Sequence, residues 1–250
     1  MIRAPSGRAL LIDGGSSGGE NRNDVGRAVI APYLQSLGIN HLDAMILTHA
    51  DSDHCNGLSS VLNEVPVDMA LDGAANVRGF HLAAQPDYWE LREAWKKRGV
   101  RIVAPRAGQK IDLGDGVILT ILAPIPPAFE SDNENGIVAR LDFGTTSFLF
   151  TGDIGEAGEE RLLQSGADLR CTVLKVAHHG SNKSGTAEFL RAASPRIAVV
   201  SCARYNSFGH PAPKTLSNLA QRGASTFRTD RDGAVEITSD GRTCKVQTFR

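Results

Sequence analysis

Side chains able to bind a metal stand where apolar runs stop. Asp13 follows Leu10-Leu11-Ile12, and His49 follows Met45-Ile46-Leu47 and Thr48. Asp153 follows Phe148-Leu149-Phe150 by way of Thr151 and Gly152, and His178 and His179 follow the run Val173–Ala177. Short apolar runs of this kind read as buried strands. In α/β layers, the ends of neighbouring strands converge on a shared crevice at one sheet edge. Imidazoles and carboxylates gathered in one crevice are costly to bury unless a cation balances them. The pattern therefore points to a layered α/β fold built around one or two divalent ions.

The remaining segments fit that frame. Stretches 9–13, 43–48, 68–73, 172–180 and 196–203 read as strands. Stretches 23–38, 56–65, 86–99, 184–194 and 214–223 read as helices. In the first helix Val25, Val29 and Leu37 recur at helical spacing, and Gly38 supplies a stop. Residues 101–105, 110–116, 117–124 and 137–153 read as antiparallel strands, the last folded back on an FGTTS turn, and 233–249 close the chain as a hairpin. Strands mixed with helices that must cover sheet faces predict an α/β sandwich, taken as a single domain over residues 1–250. The Pro-rich, acidic loop 123–136 is the candidate rim of the site.

Composition excludes several classes. With 41% hydrophobic residues over 250 positions, the chain has ample core for one large domain or two modest ones. A net charge of −1 gives no bulk signature of a nucleic-acid binder. Cys55, Cys171, Cys202 and Cys244 form no CxxC pair, so reduced thiols are expected rather than a zinc ribbon or a disulfide framework. The N-terminal MIRAPSGRALLIDGG has no basic leader with a long apolar stretch, and no run approaches 18 apolar residues. A cytoplasmic enzyme with no transmembrane segment is the expectation.

The stretch THADSDH (48–54) crowds His49, Asp51, Asp53 and His54 into six residues. Imidazole suits Zn, Mn and Fe, and carboxylate shifts preference toward harder ions such as Mn. Taken alone, the stretch also reads as a polar turn in which Asp53 or Asn56 caps the next helix. FLFTGD and VAHHGS downstream, again at strand ends, favour the metal reading.

The order LLIDGG, THADSDH, FTGD and HHGS resembles the metallo-β-lactamase superfamily. It is most similar to the metallo-hydrolase domain of ComEC-type competence (DNA-uptake) proteins and their stand-alone relatives. That branch carries HxDxDH where most of the superfamily has HxHxDH. The resemblance implies a metallo-β-lactamase-like αββα sandwich and two divalent ions, Zn or Mn. His49 and Asp51 would hold the first ion, and Asp53 and His54 the second. Asp153 would bridge them, and His178 or His179 would complete the second set, with His178 preferred. Asp13 would orient the binding loop rather than touch metal. Asp53, Asp153 and His210 are the catalytic candidates, and the implied reaction is phosphodiester hydrolysis by hydroxide formed between two cations.

The chain departs from the family pattern in four places. The usual third-motif histidine is absent, since no His lies between His81 and His178. An Asn-rich segment stands there, with Asn133 and Asn135 as candidates for substrate contact, and Gly136 follows where Ser is common. Cys55 and Asn56 replace an aliphatic residue and Gly. The strand that precedes LLIDGG in the family has no counterpart, which suggests a late start or an edge paired with another subunit.

Other features carry two readings each. Lys175, Ser181, Asn182 and Lys183 flank HHGS, either to hold substrate phosphates or as ordinary strand and turn residues. His210 is a proton donor or the brace of a Pro-rich loop. Trp89 and Trp95 with Lys96, Lys97, Arg98 and Arg101 form a surface for single-stranded nucleic acid or a packed face with a solvated basic end. GGSSGG, with Ser16 or Ser17, matches a nucleophile elbow, but a polar loop follows it instead of a helix. His41 and His81 have no motif around them. Hydrolysis of a lactam, lactone or thioester on the same fold, and a binding module with a decayed site, are the competing functions. The expected substrate is a phosphodiester: DNA, RNA, a cyclic nucleotide or a small diester.

Overall fold

In the computed structural model, the apolar run around Met45 is the strand β3 (Leu42–Leu47) of a five-stranded sheet. The structure describes residues 1–16, 24–76 and 85–250. The chain divides into two compact units, one of Met1–Pro105 with Ala128–Ile137, the other of Arg106–Pro127 with Val138–Arg250.

The sheet of the first unit runs β1 (Ile2–Arg3), β2 (Ala9–Ile12), β3, β4 (Val67–Asp72), β5 (Arg101–Val103). β1 covers the edge of β2 as an antiparallel partner, and the other pairs are parallel, with Ile12 opposite Ile46 and Ile46 opposite Leu71. Parallel pairs need crossovers, usually helical, and strands covered on both faces become continuous apolar runs. The crossovers here are α1 (Ala31–Ser36), entered through a π-helical turn at Gly26–Ile30, then α2 (Ser52–Glu64) and α3 (Pro86–Lys97). Leu34, Leu58, Leu62, Leu91 and Trp95 join Met45 and Leu47 in one buried core.

The sheet of the second unit has seven strands in the order β12-β11-β10-β9-β8-β7-β6. β6 (Lys110–Asp112), β7 (Val117–Ala123), β8 (Val138–Phe143) and β9 (Thr146–Phe150) form an antiparallel meander. β9, β10 (Val173–Lys175), β11 (Ile197–Val200) and β12 (Ser225–Arg228) are parallel. α4 (Glu156–Gln164), α5 (Ala187–Ala193) and α6 (Pro213–Gln221) supply Leu162, Phe189, Leu190 and Leu219 to its core. A short helix α7 (Thr229–Asp232) leads into the closing hairpin β13 (Ala234–Ser239) and β14 (Cys244–Phe249). The buried carboxylate of Glu159 on α4 accepts the backbone N–H groups of Gly185 and Thr186, tying α4 to the start of α5.

Several expectations are corrected. β5 pairs parallel with β4, because the intervening α3 returns the chain to the same end of the sheet. Val29 is 58% exposed, and the first helix buries Ala31 and Leu34 instead, since the π-helical turn shifts which face looks inward. α2 begins at Ser52, four residues before the expected start, so Asp53 and His54 lie in its first turn. The strand expected over 172–180 ends at Lys175, and Ala177–Gly180 form a tight 3-10 turn. α4 and β12 were not expected from the pattern. No helix among the described residues is long and apolar enough to cross a membrane.

In the first unit the loop after β2, the π-helical turn and α2 meet backbone to backbone. A Cβ on Gly57 would lie 2.0 Å from the carbonyl oxygen of Gly14, and one on Gly26 would lie 2.0 Å from that of Gly57. Gly57→Ala is expected to cost about 3 kcal/mol, by overpacking a contact made of backbone. Gly38→Ala, at φ +70° with open space around it, should cost about 1 kcal/mol. Urea unfolding of the two variants checks the order, and a Gly57 variant as stable as the wild type would refute the close approach.

Candidate functional site

In the first unit, β2 and β3 are parallel neighbours, so Asp13 and Thr48 leave the sheet at the same edge. Asp13 sits at φ +55°, and its carboxylate accepts from Thr48 N (2.8 Å), Thr48 Oγ1 (2.8 Å) and His54 Nδ1 (2.8 Å). Burial pushes the Asp13 pKa up, but the facing imidazoles of His54 and His49 and these hydrogen bonds hold it below the usual carboxylate range. An ionised carboxylate only accepts, so His54 carries its proton on Nδ1 and presents a lone pair at Nε2. Thr48 Oγ1, its hydrogen given to Asp13, takes His49 Nδ1 at 3.0 Å, which fixes the same tautomer in His49.

Both Nε2 atoms then meet carboxylates. His49 Nε2 is 3.4 Å from Asp51 Oδ2, and His54 Nε2 is 3.9 Å from Asp53 Oδ2. Asp51 is the N-cap of α2 yet makes no side-chain capping bond; its Oδ1 accepts from Gln85 Nε2 (3.4 Å) while Oδ2 faces His49. His49 holds the Asp51 pKa down although burial opposes it. Cys55, in contrast, points into the core, and burial pushes its thiol up to about 12. Among the described residues Cys55 and Cys171 are buried and all four cysteines are free thiols.

In the second unit, Asp153 follows β9, and the histidine pair follows the adjacent parallel strand β10. His178 (φ +47°) and His179 (φ +55°) occupy left-handed conformations, which are strained for residues with a Cβ. Asp13, His178 and His179 are three of five non-glycine residues at positive φ among the described residues. The strain has a use: it turns His179 so that Nε2 lies 3.1 Å from Asp153 Oδ2 while Nδ1 meets the carbonyl of Ser201 at 2.7 Å. A carbonyl only accepts, so His179 too presents Nε2. The geometry thus places His179 beside Asp153, whereas the ring of His178 lies 5.8 Å from that of His210. Both histidines of the pair stay candidates for holding metal.

A lone pair on Nε2 set against a carboxylate oxygen is repulsive unless a proton or a metal cation stands between them. Three such pairs occur, His49 with Asp51, His54 with Asp53 and His179 with Asp153. Nε2 of His49 is also buried without a hydrogen-bond partner. This donor chemistry fits divalent metal ions.

The other expected residues divide. Lys175 Nζ donates to the Gly152 carbonyl (3.2 Å) and lies 3.6 Å from Asp153 Oδ1, so it stands at the acid. Asn135 is buried, and its amide is spent on its own loop, donating to Phe129 O and Ser131 O and accepting from Phe129 N. Ser181 is buried too, and its hydroxyl accepts from Lys183 N. Both read as braces of their turns, while Asn182 and Lys183 are exposed and Asn133 is half-buried. The loop ending at Gly136 is anchored beside the motif, because Ile137 N donates to Thr48 O (3.0 Å). Burial and the neighbouring His178 and His179 push the His210 pKa down, and the Asn206 side chain braces its backbone.

Trp95 is fully buried and Trp89 is 40% exposed, so the α3 aromatics do not form one open surface. Lys96 pairs with Glu93, and Arg98 donates to Asn63. His41 pairs with Asp68 at the surface. Ser16 is exposed, and Ser17 and His81 lie outside the described residues. Sequence reasoning missed Thr48 and Ser201 as the groups that fix the imidazoles. Thr48 was legible as the hydroxyl before HADSDH; Ser201 acts through its carbonyl, which every residue type possesses.

Asp13→Ala is expected to strip three donors of their acceptor, costing about 2 kcal/mol, and to weaken metal binding about 10- to 100-fold by releasing His54. Because the folded pKa of Asp13 is lowered, its contribution is present above about pH 4 and is lost as pH falls below that. Metal titration by calorimetry checks the affinity, and loss of the His54 Nδ1 proton resonance checks the cause. Unchanged affinity would remove the orienting role.

The sequence of residues 1–204 matches the family model described as the metallo-beta-lactamase superfamily. The chain is 31% identical over 225 residues to ComE operon protein 3 of Bacillus subtilis (strain 168), covering 90% of this chain and 28% of that protein. It is 32% identical over 222 residues to Competence protein ComA of Neisseria gonorrhoeae, covering 88% of this chain and 29% of that protein. It therefore spans less than a third of the length of these relatives. Among solved structures, Zn(2+)-bound PqqB from Methylobacterium extorquens shares the fold, with a TM-score of 0.51 at 11% identity over 91% of this chain and 83% of that one. With the family match over most of its length, this α/β chain belongs to the metallo-β-lactamase superfamily of metal-dependent hydrolases.

Proposed function

We propose that the chain is a metal-dependent phosphodiesterase of the nuclease kind. The observation that carries the reading is Asp51, which faces His49 Nε2 at 3.4 Å in the place where most of the superfamily has histidine. A carboxylate there gives oxygen in place of nitrogen and favours harder ions such as Mn alongside Zn. In the first unit His49, Asp51, Asp53 and His54 are the proposed metal-holding residues, and in the second unit Asp153 with His178 or His179. When bound, such ions offset the charge of a phosphodiester and lower the pKa of the attacking water.

The chain's own residues do the rest. Asp13 and Thr48 hold the imidazoles of His54 and His49 in the tautomer that presents Nε2. The Ser201 carbonyl does the same for His179. Lys175, beside Asp153, contributes a fixed positive charge suited to a phosphate oxygen. His210, 5.8 Å ring to ring from His178, is either the proton donor or the brace of its Pro-rich loop. The printed name of one relative, Competence protein ComA, taken with the resemblance to DNA-uptake proteins, supports DNA as the polymer.

Chelator-treated protein is expected to take up Mn or Zn and to hydrolyse bis-p-nitrophenyl phosphate only after reloading. His49→Ala and Asp153→Ala should each lower kcat/KM about a thousandfold. Cleavage of nitrocefin with no cleavage of phosphodiesters would instead assign lactam-type chemistry. Lack of metal uptake and of turnover would leave a binding module.

A further inference from the structure

The segment Ala203–His210, between β11 and α6, carries two large aromatic side chains in solvent. Tyr205 is 92% exposed and Phe208 is 78% exposed, the two most exposed large hydrophobic side chains among the described residues. Leaving such surface in water costs free energy that an ordinary loop avoids with polar residues. The loop is also held in shape. Asn206 Nδ2 donates to the carbonyls of Ala203 (3.0 Å) and His210 (2.8 Å), and Asn206 Oδ1 accepts from His210 N (2.9 Å). The aromatic pair is therefore displayed on a closed turn.

Its position within the second unit says what it would meet. The Phe208 ring stacks on His210, with centroids 5.7 Å apart and planes at 19°. His210 in turn lies 5.8 Å, ring to ring, from His178, next to His179 and Asp153. Arg204, exposed and one residue before Tyr205, donates through Nε to the Asp230 carbonyl (3.3 Å), which anchors a cation beside the turn. Flat exposed rings with a neighbouring cation form the usual platform for an unpaired base and its phosphate.

We propose that Tyr205 and Phe208 form a stacking subsite for an unpaired nucleobase of the substrate, next to His178 and His179. The proposal rests on the phosphodiesterase reading and narrows its substrate to one bearing a base in a single strand. Phe208, already parallel to His210, extends that stack outward, and Tyr205 offers a second ring. Neither contact reads base edges, so the subsite would tolerate sequence while rejecting paired bases.

The test separates base from backbone and needs no turnover. Binding of a fluorescein-labelled oligodeoxythymidylate is compared, by anisotropy in the presence of a chelator, with binding of an abasic strand of the same length and charge. The wild type is expected to prefer the base-bearing strand by about tenfold or more. The Tyr205→Ala, Phe208→Ala double variant should bind both strands alike, and Tyr205→Phe with Phe208→Tyr should keep the preference. Equal binding of both strands by the wild type, or binding of neither, overturns the subsite. So does a preference that survives the double alanine change in a protein with an unchanged melting temperature. A protein that keeps the base preference but hydrolyses no phosphodiester would refute the hydrolase reading alone.

Discussion

The first unit is organised around one partly buried carboxylate. Asp13 accepts three hydrogen bonds, from two atoms of Thr48 and from His54. These bonds fix the path of the chain as it leaves β3 and fix the tautomer of His54. Through the Thr48 hydroxyl they also fix His49. A neutral side chain in place of Asp13 would leave both imidazoles free to exchange their protons and rotate. The cost of keeping the charge away from water is offset by the donors around it, which hold its pKa down despite burial. The close approach of Gly14, Gly26 and Gly57 keeps the loop that carries Asp13 against α2. The glycines are thus part of the same device as the carboxylate.

Topology repeats in the second unit. There the candidate metal-binding side chains again follow parallel strands, Asp153 after β9 and the histidine pair after β10. Parallel pairing brings successive strand ends to one edge, which is the reason that loops at such edges can collect side chains distant in sequence. The antiparallel meander β6–β9 has no such constraint, and none of the candidate metal-binding residues lies within its strands. What the second unit adds is strain. Two consecutive histidines in left-handed conformations are held by the Ser201 carbonyl and the tight turn ending at Gly180.

Much of this was legible because apolar runs and polar termini are local signals. β2, β3, β4 and α3 follow from runs whose neighbours in sequence are also their boundaries. The errors have a different origin. The parallel pairing of β5 depends on where α3 delivers the chain, which no local pattern states. Adjacent His178 and His179 both sit at positive φ, a conformation that no local sequence pattern announces. Asn135 has the composition of a ligand, yet its buried amide is used up within its own loop. α4 was missed because its EAGEERLLQ sequence is mostly polar, although it buries Leu162 and Glu159.

The three imidazole–carboxylate pairs bear on why the site is built from both residue types. Each imidazole is tied through Nδ1, to Thr48, Asp13 or Ser201. Each therefore meets its carboxylate with the atom that can either take a proton or bind a cation. Protonation would satisfy all three pairs as ion pairs, and a divalent ion satisfies them with both partners as donors. Proton and cation are thus alternatives at the same Nε2 atoms. Replacing the usual second histidine by Asp51 removes one of these titrating groups and supplies a donor that stays ionised well below neutral pH. The exchange of imidazole for carboxylate therefore does two things at once. It replaces a nitrogen donor by an oxygen donor, the kind that harder ions prefer, and it makes that position less sensitive to acid.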